Sequence, residues 1–218
     1  MESPMIDFTL IWDSLPSLLH GTSISLQITL VAASIGLLLG SLFGLAETSQ
    51  SRIIRFTIGT YVTLFRGTPM LVQILVIYYV LPQFGLLIPP FWAASIAIGL
   101  NSCAYISQII RAGVNAVPKG QIEAAHTLGF TSFKTMRYII FPQAFRITLP
   151  ALGNELITLV KDSSLASIIG VMELSKEASI IRSRTYDAFS ILLAVSVIYL
   201  VLTATLSLCL KKYEKKYA

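Results

Sequence analysis

The residues best placed to do chemistry are polar side chains that interrupt long apolar runs. Arg66, Gly67, Thr68 and Pro69 fall near the middle of an apolar run over residues 56–81. Counted from Arg55, Arg66 lies about 16 Å along a helix, which is about half the thickness of a bilayer's hydrocarbon core. An arginine at that depth must face protein or water, so it either marks a functional site or bonds to carbonyl groups of a neighbouring helix.

The same stretch predicts a broken helix. Thr68 is a suitable N-cap and Pro69 a suitable first residue for a second half-helix. The exposed N–H groups at its start would then face an anion.

A polar stripe follows one face of the next predicted helix, over residues 91–117. Asn101, Tyr105 and Gln108 are spaced i, i+4 and i+7, and Ala112 continues the face. The stripe either lines a pathway for a polar solute or makes hydrogen bonds between helices, each worth about 1 kcal/mol.

Glu155 is the carboxylate that the sequence places well inside a span, which begins near Gln143. A charged solute in a low-dielectric pathway needs an acceptor for each cationic group and donors for each anionic group. Glu155 would be that acceptor and Arg66 a donor; alternatively, the two pair with each other and hold the spans together. The predicted substrate-binding residues are Arg66, Gly67, Thr68, Asn101, Gln108, Asn154, Glu155 and Thr158.

Composition predicts the class of fold. The chain has 218 residues, of which 55% are hydrophobic and 12% charged, far from the quarter that is charged in soluble domains. The net charge of +5 comes from basic residues at the flanks of apolar runs, without the aromatic interleaving of a nucleic-acid surface. We therefore expect one all-α, polytopic membrane domain over residues 1–218 that contacts lipid and no nucleic acid.

The apolar runs predict five transmembrane helices, and the charge distribution places the N-terminus outside and the C-terminus in the cytoplasm. Basic segments at residues 50–55, 118–142 and 211–216 are assigned to the cytoplasm, and the uncharged turn at 82–90 to the outer side. The mixed charges of residues 173–187 depart from this rule.

The first and last parts of the chain carry further expectations. The first span, near residues 19–46, has Gly36, Gly40 and Gly44 at four-residue spacing, which favours close packing of another helix. The N-terminus carries Glu2 and Asp7 and lacks the basic residues of a cleavable signal peptide, so we expect it to be retained. Residues 165–172 are apolar but too short to cross, which indicates a re-entrant or surface segment, and the last span is expected over about 188–210.

The sequence lacks the residues that several kinds of chemistry require. The sequence has no G-x-x-x-x-G-K-[ST] phosphate loop, so this chain is not expected to hydrolyse ATP by that route. His20, His126, Cys103 and Cys209 are too scattered for a zinc site, and the serines lack a nearby His and carboxylate. No enzyme activity, metal or cofactor is expected.

The loop over residues 118–142 is the longest basic segment outside the predicted spans. Helix formers over 121–128 are followed by Gly129, which can adopt the positive φ that ends a helix. Thr131 or Ser132 can cap the next helix. A short amphipathic helix in this position is suited to dock in a partner's groove; the alternative is a solvated helix without a partner.

The loop also carries a recognisable motif. Glu123, Ala124 and Ala125, then Gly129 four residues on, and Ile139 two residues before a Phe-Pro pair resemble the EAA loop of membrane subunits of bacterial ATP-binding-cassette importers. Phe141 stands where that family usually has Leu. With residues 65–69 and 161–165, nearly the whole chain is similar to the polar amino-acid branch of these importers.

The resemblance implies a permease subunit of the bacterial inner membrane. Such a subunit pairs with a second copy or a close relative, docks cytoplasmic ATPase subunits and receives an amino acid from an extracytoplasmic binding protein. Coupling to the ATPase would involve Glu123, Ala124, Ala125 and Gly129. A fixed carboxylate at Glu155 favours arginine, lysine or histidine, with glutamine as the second choice. An ungated channel or a secondary carrier for small polar solutes is the alternative, and an ungated channel would not need a docking loop.

Overall fold

The computed structural model describes residues 6–49 and 51–217, with side chains up to residue 212, and its regular elements there are all helices. Glu2 and the last lysines lie outside the described side chains. The predictions that rest on the two chain ends therefore partly concern residues that the structure does not describe. The helices are α1 (Phe8–Ala46), α2 (Arg52–Gly67), α3 (Met70–Leu75), α4 (Pro90–Asn115), α5 (Lys119–Thr127), α6 (Ser132–Thr135), α7 (Phe141–Asp162), α8 (Leu174–Thr185) and α9 (Ala188–Tyr217).

Three of these helices are long and apolar enough to cross a membrane: α1, α4 and the Ala188–Lys212 part of α9. The two arms on either side of the break at Thr68 and Pro69 would together supply a fourth. Helix α7 has 22 residues, about 33 Å, but it carries more polar groups and is not among the apolar helices. The all-helical membrane fold is therefore confirmed, and the count of five spans stays a prediction.

Helix α1 begins earlier than the sequence suggested. It has 39 residues and starts at Phe8 rather than near Leu19. The carboxylate of Asp7 accepts a hydrogen bond from the Leu10 N–H at 2.9 Å, so Asp7 caps the helix. At about 58 Å, α1 exceeds a hydrocarbon core of about 30 Å and must extend beyond it.

The predicted break between half-helices is present. Helix α2 ends at Gly67 and α3 begins at Met70, so Pro69 lies just before the second half-helix instead of being its first residue. The Thr68 hydroxyl donates to the Leu64 carbonyl at 2.8 Å. Helix α3 continues into a wide turn over Val76–Val80 and a tight turn over Leu81–Phe84.

The chain divides into two compact units. The first comprises residues up to Ala32, Met70–Ile98 and Ile157–Leu206. Its core holds Leu18, Leu174 and Ile191, which come from α1, α8 and α9. The apolar stretch expected near 165–172 is a tight helical turn over Ser163–Ile169.

The second unit comprises Ala33–Pro69, Gly99–Leu156 and the chain from Ser207 onward. In it, the glycines of α1 pack against α4 as their spacing predicted. A Cβ atom at Gly40 would lie 2.8 Å from the Cβ of Ile106, and one at Gly44 would lie 2.5 Å from the Ser107 carbonyl oxygen. Because the divisions fall inside α1, α4, α7 and α9, the single domain over 1–218 stays a prediction.

Candidate functional site

Arg66 lies in the last turn of α2 and contacts α4. Its guanidinium carbon is 5.1 Å from the centre of the Tyr105 ring, within the range of a cation–π interaction. A flat, delocalised cation is thus held beside an aromatic face, and its N–H groups can still bind a carboxylate.

Arg66 and Tyr105 border a cavity of about 470 Å³ in the second unit. Tyr105, Gln108 and Ala112 all face it, so these three stripe residues share one face as predicted. The other walls come from α7 and from the rest of α4, through Ile109, Gly113, Ala116, Ile147, Thr148 and Ala151. The cavity is mostly apolar with a few polar groups, which is typical of small-molecule sites.

Asn101, the first residue of the stripe, joins two helices. It is buried, and its amide donates to the Phe65 carbonyl at 3.1 Å. This contact attaches α4 to the last turn of α2, next to Arg66. The stripe therefore contains both an inter-helix bond and cavity-lining residues.

Glu155 is partly buried on α7 and accepts a hydrogen bond from the Ser102 hydroxyl at 2.7 Å. Ser102 is fully buried on α4. The bond fixes the carboxylate as an acceptor in a defined position. Sequence reasoning missed Ser102, which lies one residue off the stripe and therefore on a different face of α4.

A second buried carboxylate, Glu47, was also missed. It follows α1, is 4% exposed, and accepts from the Gln108 amide at 2.6 Å. The Arg111 guanidinium lies 3.4 Å from its other oxygen. The sequence did offer a signal for this residue. Glu47 is a lone carboxylate directly after an apolar span, and Gln108 and Arg111 lie one turn apart on another span.

The remaining predicted substrate-binding residues are exposed. Gly67, Thr68 and Asn154 belong to the second unit with Arg66, Asn101, Gln108 and Glu155, whereas Thr158 belongs to the first. The binding roles of all eight stay predictions. Among the described residues, no group of three His, Cys, Asp or Glu side chains could hold a metal ion.

The loop with the EAA-like motif has the predicted helix–turn–helix form. Gly129 has a φ of 80°, and the N–H of Phe130 donates to the Ala125 carbonyl at 2.9 Å, which closes the end of α5. The Thr131 hydroxyl accepts from the N–H of Lys134 and caps α6. The positive φ and the cap at Thr131 are confirmed.

One residue of the motif faces inward. Ala125 is 4% exposed and packs on its own chain, and the coupling role of Glu123, Ala124, Ala125 and Gly129 stays a prediction. Glu123 and Ala124 are exposed, and so are the large apolar side chains of Leu128 and Phe133 in the same loop. The available surface of the loop is therefore partly apolar, which suits docking more than solvation.

These features agree with a family whose model matches residues 36–217. The chain belongs to the binding-protein-dependent transport system inner membrane components. It is thus a multi-pass membrane protein of a transport family.

Its relatives are amino-acid permeases by name. The arginine transport system permease protein ArtQ of Bacillus subtilis (strain 168) is 41% identical over 212 residues, which cover 97% of each chain. The glutamine transport system permease protein GlnP of Escherichia coli (strain K12) is 39% identical over 212 residues, covering 96% of this chain and 97% of that one.

Solved structures share the fold. An amino acid ABC transporter crystallised with histidines gives a TM-score of 0.92 at 42% identity, covering 97% of this chain and 99% of that one. An inward-facing MetNI methionine ABC transporter gives a TM-score of 0.78 at 21% identity, covering 98% and 100% of the two chains. At that identity, the second match supports the fold alone.

Proposed function

We propose that this chain is the permease subunit of an ATP-binding-cassette importer that carries an amino acid across a bacterial inner membrane. The observation that carries the proposal is the near full-length similarity, 41% identical over 97% of each chain, to a permease named for arginine transport. Energy comes from separate ATPase subunits.

The substrate is a basic amino acid such as arginine, lysine or histidine, or else glutamine. Relatives named for arginine and for glutamine are almost equally similar to this chain, at 41% and 39% identity. Both substrates have an α-ammonium and an α-carboxylate group, and both carry N–H donors on the side chain. Glu155, oriented by Ser102, supplies an acceptor and Arg66 supplies donors.

The partners follow from the family and from the exposed surface. The loop around α5 offers Glu123, Ala124, Leu128 and Phe133 to an ATPase subunit on the cytoplasmic side. A second copy or a homologue completes the membrane part, and an extracytoplasmic binding protein delivers the amino acid.

Competition for uptake tests the substrate assignment. In vesicles that hold the complete importer, excess arginine, lysine, histidine or glutamine should block uptake of labelled arginine or glutamine, and leucine should not. Glu155→Gln should weaken arginine uptake far more than glutamine uptake, since it removes the charge and keeps the acceptor for Ser102. Glu177→Gln, the same change on α8, is the matched control and should leave the pattern unchanged. Unaltered arginine uptake in Glu155→Gln would remove Glu155 from the site.

A further inference from the structure

The orientation of the Gln108 amide is fixed from outside the cavity. Glu47 is 4% exposed, and its Oε2 accepts a hydrogen bond from Gln108 Nε2 at 2.6 Å. Its Oε1 lies 3.4 Å from a guanidinium nitrogen of Arg111. Both Glu47 oxygens thus face N–H donors, Oε2 the Gln108 amide and Oε1 the Arg111 guanidinium, and a carboxylate paired in this way acts as an acceptor. Gln108 must therefore turn its NH₂ group, and not its carbonyl oxygen, toward Glu47.

This leaves the other end of the amide for the cavity. The same Nε2 atom also lies 3.5 Å from the Ser107 hydroxyl, so both contacts of this side chain within the unit use its nitrogen. Gln108 borders the cavity together with Arg66 and Tyr105. A glutamine without Glu47 could present either a donor or an acceptor there, whereas Glu47 engages the donor end of this one.

We propose that Glu47 is a positioning residue and that Gln108 determines specificity, through a carbonyl oxygen fixed toward the cavity beside the Arg66 cation. With Arg66 bound to the substrate α-carboxylate, the Gln108 oxygen accepts from the side-chain N–H groups of the substrate. A guanidinium, ammonium or carboxamide side chain is accepted, and a side-chain carboxylate faces an oxygen with no proton to share. The inference rests on the proposed function and identifies how that site discriminates against acidic amino acids.

The test measures selectivity rather than activity. In the purified permease–ATPase complex without binding protein, labelled arginine, lysine, histidine or glutamine, whichever the wild type binds, is displaced by unlabelled glutamine and by glutamate. Wild type should prefer glutamine. Glu47→Gln lets the Gln108 amide turn and should lower the glutamine-to-glutamate preference by about tenfold, the value of one hydrogen bond of about 1.4 kcal/mol. Gln108→Leu removes the acceptor and should lower the preference similarly, whereas Glu177→Gln should leave it at the wild-type value.

The possible outcomes distinguish a failure of the specificity role of Gln108 from a failure of the proposed function. An unchanged preference in Gln108→Leu, or equal weakening of both competitors in either variant, would overturn the specificity role. If Glu47→Gln does not assemble with the ATPase, Gln108→Leu alone decides. A wild-type complex that binds none of the four amino acids would overturn this inference, whereas uptake by the complete importer decides the proposed function separately.

Discussion

Glu47, Glu155 and Glu173 are buried or partly buried, and each carboxylate accepts hydrogen bonds from nearby donors. Glu173 has no exposed surface, and its oxygens accept from the N–H groups of Ser175 and Lys176 at 2.9 and 2.8 Å. The Ser25 hydroxyl adds a third bond at 3.2 Å and ties α1 to the start of α8. Burial of a carboxylate is costly unless such donors compensate, so these contacts are required for stability of the first unit.

Glu173 should make stability depend on pH. Burial raises its pKa above the ordinary value of 4.5, despite the bonds that lower it. The folded state then holds the proton more tightly than the unfolded state, so stability is fully present below the ordinary pKa and falls as pH rises toward the folded pKa. The melting temperature of wild type relative to Glu173→Gln should decrease as pH is raised through this window. A parallel pH dependence of the two proteins would show that Glu173 does not titrate in this way.

Individual polar residues could be predicted from the sequence only where an apolar context marked them. Arg66 and Glu155 interrupt apolar runs and were found in this way. Glu47 was missed because its partner Gln108 lies 61 residues away in the chain, and no local pattern reveals that pairing. Ser102 was missed because small hydroxyl residues are common in membrane helices whether or not they bind a carboxylate.

At the scale of elements, the α1–α4 contact of the second unit depends on glycine. Even one methyl group at Gly40 would lie 2.9 Å from the Cys103 carbonyl oxygen, a backbone atom that cannot move aside easily. Gly59 on α2 is the matched contrast, since an added Cβ there meets nothing within 4 Å.

Gly40→Ala should therefore destabilise the protein by about 1–3 kcal/mol, as overpacking does. Gly59→Ala should stabilise it by up to about 1 kcal/mol through helix propensity. Thermal unfolding of both variants in the same detergent measures the difference. Equal melting temperatures for the two variants would contradict the close packing of α1 on α4.

The turn after α5 gives a second test at this scale. Gly129 has a φ of 80°, where a β-branched side chain is strained by about 1–2 kcal/mol and asparagine is tolerated. Gly129→Val should loosen the loop, reduce co-purification of the ATPase subunit and abolish uptake, whereas Gly129→Asn should retain both. Full ATPase binding by Gly129→Val would mean that the shape of this turn is not needed for docking.

Elements were predictable where turn chemistry or length specified them. The break before α3, the turn at Gly129 and the cap at Thr131 each follow from the residue types present. The early start of α1 could not be predicted in this way. The predicted span was limited by membrane thickness, and the helix continues beyond that thickness. The inward direction of Ala125 depends on how α5 packs against the rest of the chain, and the motif alone does not indicate this packing.

At the scale of the whole molecule, the distribution of basic residues predicts which loops face the cytoplasm. A reporter that works only outside the cytoplasm should be active when fused after Gln83 or Lys176, and inactive when fused after Gly129 or Ala218. Fusion after Lys176 is the most informative, because the basic residues of α8 oppose the assignment of that segment to the outer side. Activity after Gly129 would overturn the five-span arrangement with the N-terminus outside.

Accumulation of substrate against a gradient distinguishes an importer from a channel, because an importer driven by a separate ATPase can concentrate its substrate and a channel cannot. The chain is reconstituted in liposomes with its ATPase and binding protein, and labelled arginine and glutamine are followed with ATP or with a non-hydrolysable analogue. We predict that the internal concentration of one of them exceeds the external concentration only with ATP. Equal concentrations on both sides, reached regardless of ATP, would contradict the importer assignment and indicate a channel.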